Sequence, residues 1–572
     1  MQTSTLTARL AAVGNPARAR IDIVDLLAVA AVAVAVRLGA LHRDIHPAFL
    51  VATIVLASAA ALAALHSRPL GAVRTRAGTI DRGLLVGAVA CLLAVLALVQ
   101  VAWMLFTLLH VGEVEYGEAI LYDHAARLLR GEPLYQPLNQ PPYTVATYTP
   151  VYYWSAAAAR FVFGPGFLPG RVLSCLAALA TAALVGHLAS SRTSRRPAGL
   201  FAAVLFVALG CATNVPWTAL YKEDALGVAF GVGAVVLLVR EPRTRTTIVA
   251  GAVLAALAIL TKQSLFGAAV AGTIWLWTRQ RNAAVLFGGT CLLLVVGAAA
   301  MLEMSTGAFI RNTVVGNLNP WSWDAFVSNF DLLAEQELGP IAAAAVYAVV
   351  AARGSAQGRP DLLIVYWLIS ALPVVGMAKV GAHYNYWLEF ASCTAVLATL
   401  AIWAAPSDAS SSARPLLGAL PLLLLAGSLV MVAPRISPAV LSGLRSVPDQ
   451  PERSAEFGQL VQLVHDQRGD VLAQPQDVLA LADRPVLLDI QLMSVLEGQQ
   501  VWDPRPLVAR ICGGQVGLLV VSSALEDQAS FTFQKYPLWP PSVSRALLQV
   551  MRFDQQLAGR FVYKPAGACP SQ

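Results

Sequence analysis

The chain has 572 residues, of which 57% are hydrophobic and only 13% are charged. A soluble domain carries about 25% charged residues, so this composition excludes an ordinary soluble protein for most of the length. The formal net charge of +7 comes largely from short arginine clusters between apolar segments. That pattern is typical of the cytoplasmic loops of a membrane protein rather than of a nucleic-acid-binding face. We therefore expect a polytopic membrane protein with no nucleic-acid partner.

Thirteen apolar segments are predicted as membrane-spanning helices, since about 20 residues cross the core of a bilayer. The loops between them carry arginine clusters in alternation, which predicts a cytoplasmic N-terminus. The predicted spans lie near 22–41, 47–65, 84–109, 168–189, 198–214, 224–240, 246–261, 264–278, 284–303, 338–353, 361–378, 386–405 and 415–433. In this orientation several segments lie on the outer face. They are the loop 110–167, the turns 215–223 and 262–263, the loop 304–337, the stretch 379–385 and the chain from 434 onward.

Three parts follow from this topology. Residues 1–83 hold a cytoplasmic segment and two additional spans, and residues 84–433 form the main transmembrane module. Charged and polar residues return in 434–572, where Pro485–Ile490 and Gly517–Ser522 have the pattern of buried strands. We therefore predict a small extracytoplasmic α/β domain at the C-terminal end.

The cysteines show no metal-ligand spacing, and most of them lie in or beside apolar segments. Cys512 and Cys569 are different because they fall in the predicted outer domain. A disulfide between them is one hypothesis, since disulfides persist on the oxidising side of a membrane. We find no metal-ligand cluster in the sequence and expect no cofactor.

The first outer loop carries the candidate catalytic carboxylates. Glu115 to Arg130 is predicted as an amphipathic helix, and 149–163 as an aromatic helix lying in the membrane interface. Glu115 and Glu118 are three residues apart and would share one face of the first helix. A carboxylate just above the membrane can act as a general base. The structural alternative is that these acids only complement the helix dipole.

Three of the five lysines, Lys222, Lys262 and Lys379, lie at the predicted outer ends of spans. Cations and amides that converge there would suit a phosphate or diphosphate at the depth of the lipid headgroups. The alternative is that each lysine only extends to water from a helix end. Further candidates for substrate binding on the same face are Asp224, Gln263, Arg311, Asn317, His383, Tyr384 and Asn385.

The order of several motifs over 84–433 adds a family resemblance. The motifs are Glu115-Tyr116-Gly117-Glu118, Leu129-Arg130-Gly131-Glu132-Pro133-Leu134-Tyr135, Tyr148-Thr149-Pro150-Val151-Tyr152-Tyr153-Trp154, Gly166 with Arg171, Tyr221-Lys222-Glu223-Asp224, Leu260-Thr261-Lys262-Gln263 and Tyr384-Asn385-Tyr386. Together they resemble the membrane-embedded C-type (GT-C) glycosyltransferases. The similarity is to the bacterial branch related to lipid A aminoarabinose transferase and the protein O-mannosyltransferases.

This resemblance implies an inverting transferase in a bacterial inner membrane. It would move a sugar from a polyprenyl-phosphate donor to a glycan, lipid or protein acceptor on the outer face. Glu115 or Glu118 would be the base, while Lys222, Lys262, Lys379 or Arg311 would hold the phosphate. His383 and Asn385 would position ligand rather than bind metal. Some relatives use one divalent ion, which leaves room for one here.

Two other functions fit the same sequence features. A transporter or flippase of lipid-linked sugars would also have outer-face cations and many spans, and a glycan ligase or polymerase would keep the polyprenyl carrier. A carboxylate in the first outer loop that turnover requires would favour an enzyme over a transporter.

Overall fold

The computed structural model describes residues 82–210, 216–354, 360–403, 420–429, 450–567 and 569. The spans predicted near 22–41 and 47–65 lie outside these residues. The described chain is helical up to residue 429 and forms a mixed α/β domain from residue 450.

Fourteen helices are described in the first of these parts. In chain order they are α1 (Arg82–Leu109), α2 (Glu118–Leu129), α3 (Pro150–Phe163), α4 (Leu168–Thr193), α5 (Arg196–Leu209), α6 (Asp224–Val239), α7 (Arg245–Thr261), α8 (Gly267–Trp277), α9 (Arg281–Thr306), α10 (Phe309–Thr313), α11 (Trp323–Gly354), α12 (Leu362–Ser370), α13 (Trp387–Trp403) and α14 (Leu420–Leu429). Short 3-10 turns follow at Val315–Asn317, Leu372–Ala378 and Tyr384–Tyr386.

Four helical stretches in the described ranges are long and apolar enough to cross a membrane. They are Val86–Leu109, Leu168–Thr193, Arg281–Thr306 and Tyr384–Trp403. Other apolar helices have 10–17 residues. The prediction of a helical membrane protein is confirmed, whereas the count of thirteen spans is not.

Small residues let the helices of this bundle approach closely. A Cβ atom at Gly199 of α5 would lie only 2.6 Å from the backbone oxygen of Gly186 in α4. The stretch Tyr384–Trp403, which ends in α13, is the most enclosed of the four candidate spans, with 83% of its apolar window buried. The turn at its start is therefore held by the core of the bundle.

The segment 110–167 contains the two predicted helices. The first begins at Glu118 rather than Glu115 because Gly117 takes a left-handed φ of +91° that interrupts the helix. The second, α3, leaves Phe161, Val162 and Phe163 exposed at its end, at 81%, 68% and 71%. Exposed apolar side chains of this size support the predicted position of α3 in the membrane interface.

The C-terminal domain is built on a four-stranded sheet in the order β1-β2-β6-β5. β1 and β2 are parallel, and β6 is antiparallel to both of its neighbours. The strands of the domain are β1 (Asp470–Gln474), β2 (Val516–Val521), β3 (Thr532–Phe533), β4 (Tyr536–Pro537), β5 (Met551–Leu557) and β6 (Arg560–Pro565). Its helices are α15 (Ala455–Asp466), α16 (Asp477–Leu481), α17 (Ile490–Gly498), α18 (Arg505–Cys512), α19 (Leu525–Ser530) and α20 (Pro541–Val550).

The two predicted strands of this domain have different outcomes. The apolar run Gly517–Ser522 matches β2, whose residues are buried almost throughout. The prediction of a strand at Pro485–Ile490 is wrong, because this run is extended only up to a single bridge between Leu488 and Tyr143, and Ile490 begins α17. Its side chains Leu487, Leu488 and Ile490 are buried in one apolar cluster with residues of the segment 110–167 and of the sheet.

The domain packs directly on that segment. Tyr143 donates a backbone hydrogen bond to Leu487 O at 2.7 Å and belongs to the same apolar cluster as the domain core. Arg160 of α3 donates to Asp483 at 2.9 Å. A disulfide joins Cys512 to Cys569 within the domain, as hypothesised. The C-terminal domain and the segment 110–167 therefore share one interface.

Candidate active site

Glu118 is enclosed by hydrogen-bond donors at the start of α2. Its carboxylate oxygens lie 2.6 Å and 2.9 Å from the guanidinium of Arg171, and neither side chain is exposed. The backbone N–H groups of Tyr221 and Val114 also donate to it, at 2.7 Å and 2.8 Å. Burial alone would raise the pKa of Glu118, but Arg171 and these N–H groups together hold it below its ordinary value. Glu118 and Arg171 therefore form a buried ion pair of the kind that stabilises the structure.

Glu115 has a different environment, although it is only three residues away. It precedes the helix and is half-buried. No side chain of the described residues forms an ion pair with its carboxylate within 4 Å. Burial raises the pKa of Glu115, while the charge of Lys222 opposes that rise. Glu115 is thus a carboxylate with free acceptor capacity and a raised affinity for protons.

Lys222 lies beside this carboxylate. Its ammonium donates to Tyr116 O at 2.8 Å and sits over Gly117, where a Cβ atom would come within 2.7 Å of Nζ. The ring of His383 packs against that of Trp217 in a tilted arrangement, with ring centroids 5.2 Å apart. Burial, and then the charge of Lys222, lower the pKa of His383 to about 4. His383 is therefore neutral near pH 7.

Lys262 is paired with two acids, so the three groups carry one excess negative charge when all are ionised. Its Nζ lies 2.9 Å from Glu223 Oε1 and 2.5 Å from Asp224 Oδ1, and all three side chains are almost fully buried. Asn385 donates to the other oxygen of Asp224 at 3.2 Å. The ring of Tyr386 lies 4.8 Å from the ammonium. The positions follow from the chain, because Lys262 ends α7 and the two acids begin α6.

An open cavity of about 320 Å³ lies between Lys262 and Lys379. One part of its wall is polar and another is apolar. The lining residues include Tyr148, Lys262, Gln263, Phe266, Asn317, Leu372, Pro373, Lys379 and Tyr386. Four of the residues predicted from the sequence to bind the phosphate or the substrate therefore line one cavity, namely Lys262, Gln263, Asn317 and Lys379.

Lys379 is the cation of this cavity that has no acidic partner. Its Nζ donates to Asn317 Oδ1 at 3.1 Å, and no carboxylate of the described chain lies within 4 Å of it. Burial, and then the charge of Lys262, lower the pKa of Lys379. Leu372 and Val375 beside it are more than half exposed, at 56% and 52%. The cavity thus combines an uncompensated ammonium with an apolar surface.

Gln263, which lines the cavity, and Tyr384 also hold this region together. Gln263 donates to Thr147 O at 2.8 Å and to Thr313 O at 3.1 Å, which ties together three loops around the cavity. Tyr384 packs edge-on against His383, with ring centroids 4.7 Å apart. Both residues therefore hold neighbouring site residues in place.

Arg311 is located away from these groups. It is exposed and lines a second depression together with Trp502 and Arg505 of the C-terminal domain. Its neighbour Asn312 is buried and accepts a hydrogen bond from the Ala146 backbone at 3.1 Å, which turns Arg311 outward. The structure does not bring Arg311 to the cavity that Lys379 lines.

The sequence did not predict the hydrogen bonds by which Tyr116, the neighbour of Glu115, contacts the C-terminal domain. The hydroxyl of Tyr116 donates to Asp489 at 2.5 Å and accepts from the backbone N–H of Gln491 at 3.0 Å. Asp489 also caps α17 by accepting from Leu492 N–H. Tyr116 and Asp489 are 373 residues apart, so no local pattern signals their pairing. Arg171 belongs to one of the sequence motifs, but its spacing does not indicate that Glu118 is its partner.

Glu113 is a second residue of this interface that sequence reasoning did not single out. It accepts a hydrogen bond from Gln476 N–H at 3.3 Å. Burial, and then the nearby charge of Asp477, raise the pKa of Glu113 to about 8. This carboxyl is therefore largely protonated at neutral pH. Among the described residues, no three His, Cys, Asp or Glu side chains are grouped as a metal site.

Comparison with known proteins gives a fold but no close relative. No family model and no curated protein sequence matches the chain. The structure is similar to that of ArnT from Cupriavidus metallidurans bound to undecaprenyl phosphate, with a TM-score of 0.52, 14% identity, and coverage of 85% of this chain and 99% of that one. Apo ArnT gives a TM-score of 0.50 at 16% identity, with the same coverage.

The apo oligosaccharyltransferase of Archaeoglobus fulgidus is similar at a TM-score of 0.47 and 12% identity, over 83% of this chain and 74% of that one. ArnT is a lipid A aminoarabinose transferase of the GT-C class. The similarity to the two ArnT structures confirms the resemblance predicted from the motifs at the level of the fold, and the chain has the fold of the membrane-embedded C-type glycosyltransferases.

Proposed function

We propose that the protein is an inverting glycosyltransferase that moves a sugar from a polyprenyl-phosphate donor to an acceptor on the outer face of a bacterial inner membrane. One observation carries this proposal. The uncompensated ammonium of Lys379 lines a cavity whose apolar wall includes the exposed side chain of Leu372. A cation beside an exposed apolar surface matches a lipid that bears a phosphate. The solved ArnT complex with undecaprenyl phosphate supports the same class of carrier.

The cavity and the candidate base are joined by three consecutive residues. Asp224 and Glu223 hold Lys262 at the cavity, whereas Lys222 lies beside Glu115. A donor with its phosphate at Lys379 would therefore have its sugar near Lys262 and Glu115. Glu115 is favoured over Glu118 as the base because the carboxylate of Glu118 is already occupied by Arg171 and two backbone donors.

The proposed reaction is a single displacement at the anomeric carbon. The acceptor hydroxyl gives its proton to the Glu115 carboxylate, and its oxygen forms the new bond from the face opposite the phosphate. The bond between the anomeric carbon and the phosphate oxygen breaks, and polyprenyl phosphate leaves with the electron pair near Lys379. A general base of this kind contributes about 10²–10⁴-fold to the rate. This step requires no resident cofactor, so we expect a chelator to leave turnover unchanged.

The orientation of the protein belongs to the same proposal. Arginine clusters in alternate loops favour a cytoplasmic N-terminus, with the site and the C-terminal domain outside. The disulfide between Cys512 and Cys569 fits that side, because it is oxidising in bacteria. The acceptor would then be a glycan, a lipid or a protein presented outside the cytoplasm.

Release of radiolabelled sugar from polyprenyl-phosphate sugars by the purified protein tests the proposal. Wild type is compared with Lys379→Met and with Lys564→Met, which removes an exposed lysine of the C-terminal domain paired only with Asp554. We expect release by wild type and Lys564→Met, and an increased donor KM in Lys379→Met. Translocation of intact donor across vesicles without release would instead support a flippase. Transfer of whole glycan chains would support a ligase or polymerase.

A further inference from the structure

A group of arginines lies at the end of the helix bundle away from the candidate site. The runs 240–245 and 279–281 contain five arginines and a single acid, Glu241. The first run joins α6 to α7, and the second joins α8 to α9. Because α7 has 17 residues and ends just before Lys262, its start is about 25 Å from that lysine. The five residues that we call the arginine cluster are Arg240, Arg243, Arg245, Arg279 and Arg281.

One buried tryptophan ties the two runs together. Trp275 of α8 is only 6% exposed and belongs to the apolar core of the bundle. The guanidinium carbon of Arg243 lies 4.8 Å from the centre of its ring, and that of Arg279 lies 4.6 Å from it. The face of an indole ring attracts a cation at such distances. Two arginines from separate loops are therefore held at the same ring before any ligand binds.

Another face of α8 is apolar and open. Val270, Ile274 and Trp277 recur at the spacing of one helix face, and they are exposed at 37%, 42% and 53%. We call these three residues the apolar stripe. The guanidinium carbon of Arg281 lies 5.6 Å from the centre of the Trp277 ring. The apolar stripe therefore ends at the arginine cluster, with a tryptophan at the junction, as is typical of the depth at which lipid headgroups begin.

The charge of the arginine cluster exceeds what the neighbouring chain balances. Glu241, the one acid of the two runs, pairs with Arg243. Arg240, Arg245 and Arg281 are exposed, and none of them forms an ion pair within the described ranges. Guanidinium groups bind phosphate oxygens with two parallel hydrogen bonds. Excess positive charge beside an exposed apolar stripe matches an anionic phospholipid, whereas a zwitterionic one would bring a cation of its own into the cluster.

We propose that the arginine cluster and the apolar stripe bind an anionic phospholipid of the leaflet opposite to the candidate site. Its phosphodiester would bind Arg279 and Arg281, and one acyl chain would lie along the apolar stripe. Basic pockets between transmembrane helices bind headgroups of this kind. The bound lipid would stabilise the bundle, because it binds only the folded protein. The arginine cluster shares no residue with the cavity that Lys379 lines, so this binding is independent of the proposed function.

Lipid binding to the purified full-length protein in detergent tests the inference, with bound molecules counted by native mass spectrometry. The probes are phosphatidylglycerol, phosphatidylcholine and glycerol phosphate, which carries the phosphate without acyl chains. One variant combines Arg279→Gln with Arg281→Gln, and a second is Trp277→Ser. Arg195→Gln is the matched control, because it removes an exposed arginine from the end of α4 that lies away from Lys222. Thermal unfolding verifies that each variant is folded.

We expect phosphatidylglycerol to bind wild type and Arg195→Gln equally, and to bind the double variant roughly tenfold or more weakly, since charge-assisted hydrogen bonds are lost. Trp277→Ser should weaken its binding several-fold, and phosphatidylcholine should bind wild type much more weakly than phosphatidylglycerol does.

Three results would overturn the inference. They are equal binding of the two lipids to wild type, an equal loss in Arg195→Gln and the double variant, and displacement of phosphatidylglycerol by an equal concentration of glycerol phosphate. Loss of phosphatidylglycerol binding in Lys379→Met but not in the double variant would place the lipid in the other cavity, which would also overturn it.

Discussion

Two sets of charges in the candidate site differ in how fully they are neutralised. The compensated pairs are Glu118 with Arg171, and Lys262 with Glu223 and Asp224, all almost fully buried. The open charges are Glu115 and Lys379, which are half-buried and have no ion pair within the described chain. A buried ion pair satisfies itself, whereas a charge without a partner can accept a substrate proton or a substrate anion.

This difference separates residues that look equivalent in the sequence. Glu115 and Glu118 stand in one short motif, and Lys262 and Lys379 both follow apolar segments. In the structure, Glu118 and Lys262 are held in buried ion pairs, whereas Glu115 and Lys379 have no ion pair among the described residues. The comparison therefore assigns stability to the compensated pairs and chemistry to the open charges.

The largest expected effect comes from breaking a compensated pair. Lys262→Met would leave the buried carboxylates of Glu223 and Asp224 without their counter-charge, which costs about 3–5 kcal/mol of folding free energy. We expect a much lower unfolding temperature in detergent, together with weaker donor binding. Lys564→Met is the control, because its exposed pair with Asp554 contributes only about 0–1 kcal/mol. An unfolding temperature of Lys262→Met equal to that of wild type would contradict the distinction between compensated pairs and open charges.

Replacing an open charge should leave stability unchanged and weaken binding of the substrate. Lys379→Met removes a phosphate contact and leaves no acid unpaired, so its unfolding free energy should stay within about 0.5 kcal/mol of wild type. Affinity for undecaprenyl phosphate should fall by about tenfold to a hundredfold, because a hydrogen bond to a charged group contributes about 1.5–3 kcal/mol. Isothermal titration measures this directly. Normal affinity in this variant would show that the phosphate binds elsewhere.

A smaller effect is expected where the C-terminal domain holds the loop of Glu115. Tyr116→Phe removes the hydroxyl that joins Asp489 to Gln491 N–H, at a cost of about 1–3 kcal/mol. We expect kcat to fall several-fold while donor KM stays constant, because only the position of Glu115 changes. Arg160→Gln breaks a different contact between the C-terminal domain and the membrane part, the one with Asp483. It should leave kcat intact, and an equal loss in both variants would contradict a specific role for Tyr116.

The smallest expected effect is a shift in pH dependence. A base works only when it is deprotonated, so kcat/KM should fall as the pH drops through the raised pKa of Glu115. Lys222 favours the carboxylate and lowers this pKa. Lys222→Met should therefore raise the pKa further and move the acid limb of the pH profile to higher pH. An acid limb that does not move, or that moves to lower pH, would contradict Glu115 as the base beside Lys222.

The sequence could predict features that depend on local pattern. Hydropathy located the helical membrane part, and the segment predicted as a helix at 149–163 is α3. Motif order gave the fold class, and four of the outer-face residues proposed to bind the substrate line one cavity. The prediction of the fold class succeeds because apolar length and motif order can be taken directly from the sequence.

Pairing between distant residues could not be predicted in this way. Glu118 and Arg171 are 53 residues apart, and Tyr116 and Asp489 are 373 apart. The i,i+3 argument for a shared face failed for Glu115 because Gly117 delays the start of the helix. Arg311 was grouped with the lysines by position in a loop, but the fixed side chain of Asn312 turns it toward the C-terminal domain. Tertiary contacts decided each of these cases.

The central claim is tested most directly by sugar transfer in the Glu115→Gln and Glu118→Gln proteins, measured as single turnover of a bound polyprenyl-phosphate sugar. We predict that Glu115→Gln unfolds like wild type and binds the donor normally, yet transfers about 10²–10⁴-fold more slowly. Glu118→Gln should unfold more easily, because its ion pair with Arg171 is broken. Normal transfer by Glu115→Gln, with loss only in a well-folded Glu118→Gln, would contradict this account.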